Sequence, residues 1–200
     1  MASERMFTVG LDEAGRGPLA GPVTAGCVLL PDDFPVELLD DSKRLSPKKR
    51  AAAEKLIQER ACWGFGVVSN EEIDRINILQ ASLKAMAIAY RMMLRKLPAW
   101  CAARGMAEIA EPALDAIADG TFCPAIGCAV RCEPKADARY PCVMAASIIA
   151  KEGRDRIMLD YDRLYPAYGY ARHKGYPTPA HKKACRELGP SPIQRLSFSY

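Results

Sequence analysis

The feature that most constrains this chain is a strand that closes on two acids and a glycine turn and then gives way to another strand. Phe7, Val9 and Leu11 alternate as one face of a β-strand over residues 6–12. The strand runs into Asp12-Glu13-Ala14-Gly15-Arg16-Gly17-Pro18-Leu19-Ala20-Gly21 and, past Pro22, into the continuous β-prone run 23–30. Two glycines spaced like Gly15 and Gly17 after a strand invite a dinucleotide-binding reading. That fold, however, needs the glycines to open a helix whose N-terminus receives the pyrophosphate. Residues 23–30 are too apolar for a surface helix, so a nicotinamide enzyme is disfavoured.

Successive strand side chains point to opposite faces, so Asp12 and Glu13 converge only if the strand ends there, and Gly15 permits that bend. Taken alone, the pair reads as two solvated acids in a turn. More acids sit where a sheet can gather them. Asp119 ends a short apolar strand, 114–118, and precedes Gly120; Asp137 lies in Lys135-Ala-Asp-Ala-Arg139, just before a long helical stretch. If the four converge, each like-charged pair about 5 Å apart repels by about 3 kcal/mol at an effective dielectric of about 20. Such a cluster needs protons or cations, and oxygen-only ligands suit Mg²⁺ or Mn²⁺ better than zinc.

The rest of the pattern is α/β. Ser46 and Pro47 mark the start of a helix over 48–60, as N-cap and first helical residue. A third strand is expected over 62–69 and a single helical stretch from 70 to about 104. In that stretch Ile73, Ile76, Leu79, Leu83, Met86 and Tyr90 form a core face, joined by Met92 and Met93. A further strand is expected over 125–130, a long helix over 142–165, a Tyr/Gly/Pro/basic loop over 168–179 and a last short helix to Leu188. One domain spanning 1–200 follows, with about 165–200 as a helical extension of it.

Composition narrows the class. The 200 residues are 50% hydrophobic and 26% charged, with a net charge of +4 that permits a nucleic-acid partner without demonstrating one. No apolar run approaches the roughly 20 residues of a membrane span, and the N-terminus lacks a signal-peptide pattern, so cytoplasmic residence without a membrane partner is expected. The eight cysteines do not read as a disulfide framework. Cys123, Cys128 and Cys132 cluster without a C-x-x-C pair or a matching His, so free, mostly buried thiols are expected.

The motifs in order resemble the ribonuclease HII family. Val9-Gly-Leu-Asp-Glu-Ala-Gly-Arg-Gly-Pro-Leu-Ala-Gly-Pro-Val23 is similar to that family's opening. The likeness continues through Asp41-Ser42-Lys43-Arg44-Leu45-Ser46, Glu72-Ile73-Asp74 with Asn77-Ile78-Leu79, and Asp119-Gly120. It runs on through Ala145-Ala-Ser-Ile-Ile-Ala-Lys151 with Arg154-Asp155, and His173-Lys-Gly-Tyr-Pro-Thr178. It covers nearly the whole chain. Three departures from the pattern stand out: Thr121 stands where the family commonly has Asn, Gly153 stands where it usually has Thr or Ser, and the sequence stops soon after Ser197-Phe198, so that no tail-borne clamp-binding motif is expected.

The resemblance implies a ribonuclease H-like fold, a mixed five-stranded sheet flanked by helices with a C-terminal helical appendage. It implies an endonuclease that hydrolyses the RNA strand of RNA–DNA hybrids and cuts 5′ of ribonucleotides embedded in duplex DNA, as in ribonucleotide excision. Asp12, Glu13, Asp119 and Asp137 would hold two divalent ions, Mg²⁺ or Mn²⁺, about 3.5–4 Å apart, leaving 5′-phosphate and 3′-hydroxyl ends. The family's last acid lies in a Lys-x-Asp-x-Arg context, which selects Asp137 over Asp155; Asp155 is then expected to pair with a neighbouring Arg. The backbone of Gly15, Arg16 and Gly17 would contact the 2′-hydroxyl that distinguishes RNA from DNA. Tyr176 would pack on the sugar at the RNA–DNA junction, and Ser42 and Lys43 would meet the substrate. Lys48, Lys49 and Arg50 crowd a helix start whose N-terminus suits a phosphate, while a solvated charged face accounts for them equally well, and residues 170–183 would line the opposite side of the groove. Neither His173 nor His181 need act as a base. A monomer with no obligate protein partner is expected. The rivals are a sister ribonuclease H with different junction requirements and a nucleic-acid-binding protein with a dead site.

Overall fold

The computed structural model describes residues 6–40 and 45–199. Five strands, β1 (Phe7–Ala14), β2 (Val23–Leu29), β3 (Cys62–Val68), β4 (Leu114–Asp119) and β5 (Ala129–Glu133), form one mixed sheet in the order β3-β2-β1-β4-β5. β1 and β3 run antiparallel to β2, while β4 runs parallel to both β1 and β5. This is the α/β ribonuclease H-like arrangement that the motifs imply. β5 lies downstream of the expected 125–130, because its ladder with β4 starts only at the pair Asp115–Ala129. The shift sets Asp119 opposite Glu133, four residues before Asp137.

Helices cover both faces. α1 (Pro47–Arg60) starts as expected, with the Ser46 hydroxyl accepting from the Lys49 amide at 3.3 Å. The single helix expected after β3 is two, α2 (Asn70–Ile76) and α3 (Ile78–Ala102), broken at Asn77. That residue has φ of 67° and caps α3 by accepting from the Gln80 amide. The buried stripe of α3 includes Ala81, Ala85, Met86, Ala89, Tyr90 and Met93. Leu79 and Leu83 are left half-buried and Met92, against expectation, is exposed. α3 lies directly on β3: a side chain at Gly64 or Gly66 would run into the backbone of Ala85 and Ala89.

α4 (Pro141–Leu164) covers the other face, its first turns pressed against Gly10 and Gly26, where a Cβ would strike the backbone of Cys142 and Ala146. α1 is tied to it by ion pairs between Arg50 and Glu152 and between Arg156 and Glu54. The segment after α4 holds a short α5 (Tyr170–His173), α6 (Pro179–Leu188) and a final strap that bridges Ala20 to Gln194. The strap is fixed to α2, because the Asp74 carboxylate accepts from the amides of Leu196 and Ser197 at 2.9 and 3.0 Å.

Not all cysteines are free. Cys123 and Cys132 are joined in a disulfide, because the irregular segment after β4 folds back on the edge strand and brings the two Cα atoms to 5.6 Å. Cys27, Cys62, Cys101 and Cys185 are buried thiols, as expected. Among the described residues no helix is long and apolar enough to cross a membrane.

Candidate active site

The sheet gathers the acids at one end. β1 and β4 run parallel with Leu11 beside Ala118, so the next residues, Asp12 and Asp119, emerge together at the carboxyl ends of neighbouring strands. Asp137 reaches the same end from a 3₁₀ turn, Ala136–Ala138, which is anchored there because the Ala136 amide donates to Asp119 Oδ1 at 2.8 Å. The strand does not stop at the acid pair: Glu13 still opposes Ala25 and Ala14 opposes Thr24. Gly15, at φ of 97°, turns the chain just beyond, and one cleft of about 250 Å³ takes in both Asp12 and Glu13. Its other walls are residues 14–17, Ser147, Lys151 and Tyr176.

The electrostatics of this end are those of confined like charges. Asp12 is buried, and burial lifts its pKa well above the usual carboxylate range. The charges of Glu13, Asp119 and Asp137 lift it further, against one hydrogen bond from the Glu13 amide at 2.7 Å. Burial also raises Glu13, opposed by the Arg16 guanidinium 3.3 Å away. Among the described residues no three His, Cys, Asp or Glu side chains are drawn into a ready metal cage. The donor set is oxygen only, and its like-charge tension is what a hard divalent cation relieves; the residues fit Mg²⁺ or Mn²⁺.

Two buried arginines shape the loop after β1. Arg195 donates to the carbonyls of Gly15 (2.6 Å), Arg16 (3.0 Å), Gly21 (2.9 Å) and Pro22 (3.1 Å). Arg154 donates to those of Ala20 (3.1 Å), Pro22 (3.0 Å) and Lys174 (2.9 Å). Burial pushes their pKa values down to about 9 and about 10, so both stay cationic at neutral pH. In a trans peptide the C=O and N–H point in opposite directions, and the chain has no cis bonds among the described residues. Drawing the Gly15 and Arg16 carbonyls onto Arg195 therefore turns the Arg16 and Gly17 amide N–H groups away from it. Gly15 is required twice over, by its positive φ and because a Cβ would collide with the Arg154 side chain.

Tyr176 stands across the cleft from Gly17: a Cβ on that glycine would lie 3.8 Å from the tyrosine ring. Its ring is exposed, with the Arg154 guanidinium 6.0 Å from its centroid. The cleft thus unites Asp12, Glu13, Gly15, Arg16, Gly17 and Tyr176, with Asp119 and Asp137 close enough to act on Asp12. Ser42 and Lys43 fall outside the described residues. Asp155 pairs with Lys151 at 2.8 Å rather than with an arginine, since the two lie one helical turn apart. Of the helix-start cations, Arg50 turns to Glu152, and Lys48 and Lys49 are exposed. The stretch 170–183 does not line the cleft as a whole, because Tyr170, His173 and His181 are buried. Sequence reasoning missed Arg195, since a lone Arg in a C-terminal loop reads as solvated; it gave Arg154, Ser147 and Lys151 no role, although their motif was visible.

Comparison with known proteins identifies the family and the fold. The family model described as Ribonuclease HII matches residues 9–200. A ribonuclease HII of Treponema denticola is 50% identical, over 94% of this chain and 96% of its own length, and one of Novosphingobium aromaticivorans is 43% identical over 97% and 96%. Among solved structures, the ribonuclease H2 of Pyrococcus horikoshii superposes with a TM-score of 0.70 at 26% identity, covering 97% of this chain and 94% of that one. A Bst ribonuclease HIII solved in complex with Mn²⁺ shares the fold with a TM-score of 0.67 at 20% identity, covering 97% and 67%. The chain belongs to the ribonuclease HII family, a family of ribonuclease H endonucleases.

Proposed function

We propose that this ribonuclease H cuts the RNA strand of RNA–DNA hybrids and also cuts duplex DNA on the 5′ side of an embedded ribonucleotide, by two-metal-ion hydrolysis leaving 5′-phosphate and 3′-hydroxyl ends. The observation that carries the reading is the single cleft that holds Asp12 and Glu13 on one wall, the Gly15–Gly17 turn beside them and Tyr176 opposite.

Asp12, Glu13, Asp119 and Asp137 would hold the Mg²⁺ or Mn²⁺ ions, as the oxygen-only donor set and the raised pKa of Asp12 support. Bound there, the ions supply activation of water and charge stabilisation at the phosphate. The chain's own groups do the rest. The Arg16 and Gly17 amides, turned away from the Arg195 clamp, would donate to a ribose 2′-hydroxyl. The Tyr176 ring packs on the neighbouring sugar, and Lys151 and Arg16 offer cationic partners to the nucleic-acid backbone. No protein nucleophile is used, and both histidines lie outside the cleft.

RNA–DNA hybrid and ribonucleotide-containing duplex are thus the substrates, and the chain works as a monomer. One structural neighbour, the ribonuclease HII of Archaeoglobus fulgidus, was solved in complex with PCNA; no obligate protein partner is needed for the chemistry proposed. The test is cleavage of a DNA duplex carrying one ribonucleotide, beside a uniform RNA–DNA hybrid, with Mg²⁺, Mn²⁺ or a chelator. Metal-dependent scission 5′ of the lone ribonucleotide is expected. Cutting of the uniform hybrid alone would reject the junction activity, and undiminished cutting in chelator would reject the metal role.

A further inference from the structure

The chain has two histidines, and both are placed behind Tyr176 rather than in the cleft. His173 and His181 are buried and stacked, ring centroids 4.5 Å apart and planes 15° from parallel, and Tyr170 meets both edge-on at 5.8 and 5.5 Å. Together they grip the backbone that carries Tyr176. The Tyr176 amide donates to the His173 carbonyl at 2.8 Å, and the Gly175 amide donates to His173 Nδ1 at 3.2 Å. The Tyr176 carbonyl lies 3.0 Å from His181 Nδ1.

These contacts fix the protons. A carbonyl only accepts, so His181 must carry its proton on Nδ1. Its Nε2 is then a bare lone pair, and that atom is buried with no hydrogen-bond partner, a setting in which an N–H would be orphaned. His173 is the opposite tautomer: Nε2 lies 2.9 Å from the Tyr168 carbonyl and so donates, leaving Nδ1 to accept from Gly175. Tyr176 itself is an exposed ring at the cleft mouth. Its aim is therefore set by the backbone beneath it.

We propose that His181, held as the Nδ1–H tautomer by the Tyr176 carbonyl and packed against His173, is a positioning residue for Tyr176 and thereby sets the enzyme's preference for a ribonucleotide–DNA junction over a uniform hybrid. This rests on the reading of Tyr176 as the residue that meets the junction sugar. His181 touches no substrate; it acts through the Tyr176 carbonyl.

The test compares kcat/KM on the single-ribonucleotide duplex with that on the uniform hybrid. His181→Phe keeps an aromatic ring for the stack and removes the donor; it is expected to lower the junction preference about tenfold, a modest loss for a misplaced contact. His181→Asn, whose side-chain N–H can replace Nδ1–H, should restore most of it. Adding Tyr176→Ala to His181→Phe should then lower the preference no further than Tyr176→Ala alone. A His181→Phe enzyme with the full preference, beside a Tyr176→Ala enzyme that has lost it, overturns the role of His181. A Tyr176→Ala enzyme with the full preference overturns the reading of Tyr176 and this proposal with it. Should His181→Phe not fold, ¹⁵N NMR of the wild-type imidazoles decides: Nδ1–H at His181 is required, and Nε2–H there overturns the proposal.

Discussion

Arg195 Nη2 lies 2.6 Å from the carbonyl oxygen of Gly15, the first residue beyond the strand that carries Asp12 and Glu13. The same guanidinium reaches the carbonyls of Arg16, Gly21 and Pro22, so one side chain from the C-terminal strap closes the whole turn after β1. Only a planar fork with several fixed donors can do this, and a lysine ammonium is a point charge on a flexible stem. Arg195→Lys should therefore strand two or more buried carbonyls, each costing about 1–3 kcal/mol. The expected result is a loss of about 3 kcal/mol or more in urea unfolding, with a fall in kcat/KM on every ribonucleotide-containing substrate. A variant with wild-type stability would show that the clamp does not hold the turn.

Asp12 carries a charge that costs the fold, being buried and repelled by Glu13, Asp119 and Asp137. Asp12→Asn removes that charge while keeping the side chain's shape. In chelator at neutral pH the variant should be more stable than wild type by about 1–2 kcal/mol, which for a chain of this size is a few degrees in Tm. Added Mg²⁺ or Mn²⁺ should raise the wild-type Tm and raise that of the variant less, and the variant should not cut. Equal Tm values without metal, or full activity, would contradict the cation-site assignment.

What the sequence made legible follows physical range. The five strands and the Ser46 cap depend on local pattern and appear in the fold, with β5 starting four residues later than expected; β1, expected to end at the acid pair, runs on to Ala14. The break at Asn77 depends on one residue adopting a positive φ, which no apolar periodicity reveals; Met92 is exposed because, at helical spacing, it lies off the face of Met86 and Tyr90. Asp12 and Asp119 could be paired in thought but not in register; the parallel ladder of β1 and β4 does that. The Cys123–Cys132 bond and the reach of Arg195 to Gly15 are contacts between segments whose approach no motif encodes. The Asp155–Lys151 pair, by contrast, lies at a helical spacing of four and was open to sequence reasoning.

Gly153 has a steric reason inside α4. From helix propensity alone, Gly153→Ala should gain about 1 kcal/mol. A Cβ there, however, meets the Phe65 ring of β3, with Cδ2 at 3.2 Å and the ring's outer atoms closer still. Overpacking of this kind costs about 1–3 kcal/mol, so the substitution should be neutral to destabilising by up to about 2 kcal/mol. Combined with Phe65→Leu, which vacates the contact, the alanine should become stabilising relative to Phe65→Leu alone. Chemical denaturation of the four proteins in the cycle measures it, and an additive cycle would show that the two residues do not compete for space.

The two histidines give the fold an acid limit. Burial pushes both imidazoles below their ordinary value of 6.5. At His173 the Tyr168 carbonyl and Asp162 oppose this and Lys174 adds to it. At His181 the Tyr176 carbonyl and the Gly175 backbone oppose it and His173 adds to it. The folded state thus prefers neutral rings, and the unfolded chain binds protons first. Their contribution to stability is complete above the unfolded value, and it is lost as pH falls from about 6.5 through the lowered folded values. Asp12 and Glu13 act oppositely, because their raised pKa values make the fold gain as they protonate. The histidine share must therefore be read as a difference. The Tm of wild type minus that of His181→Asn, followed from pH 8 to pH 5, should be flat at the alkaline end and should decline once pH drops below about 6.5. A difference that stays constant across this range would mean that His181 is not held neutral by its burial.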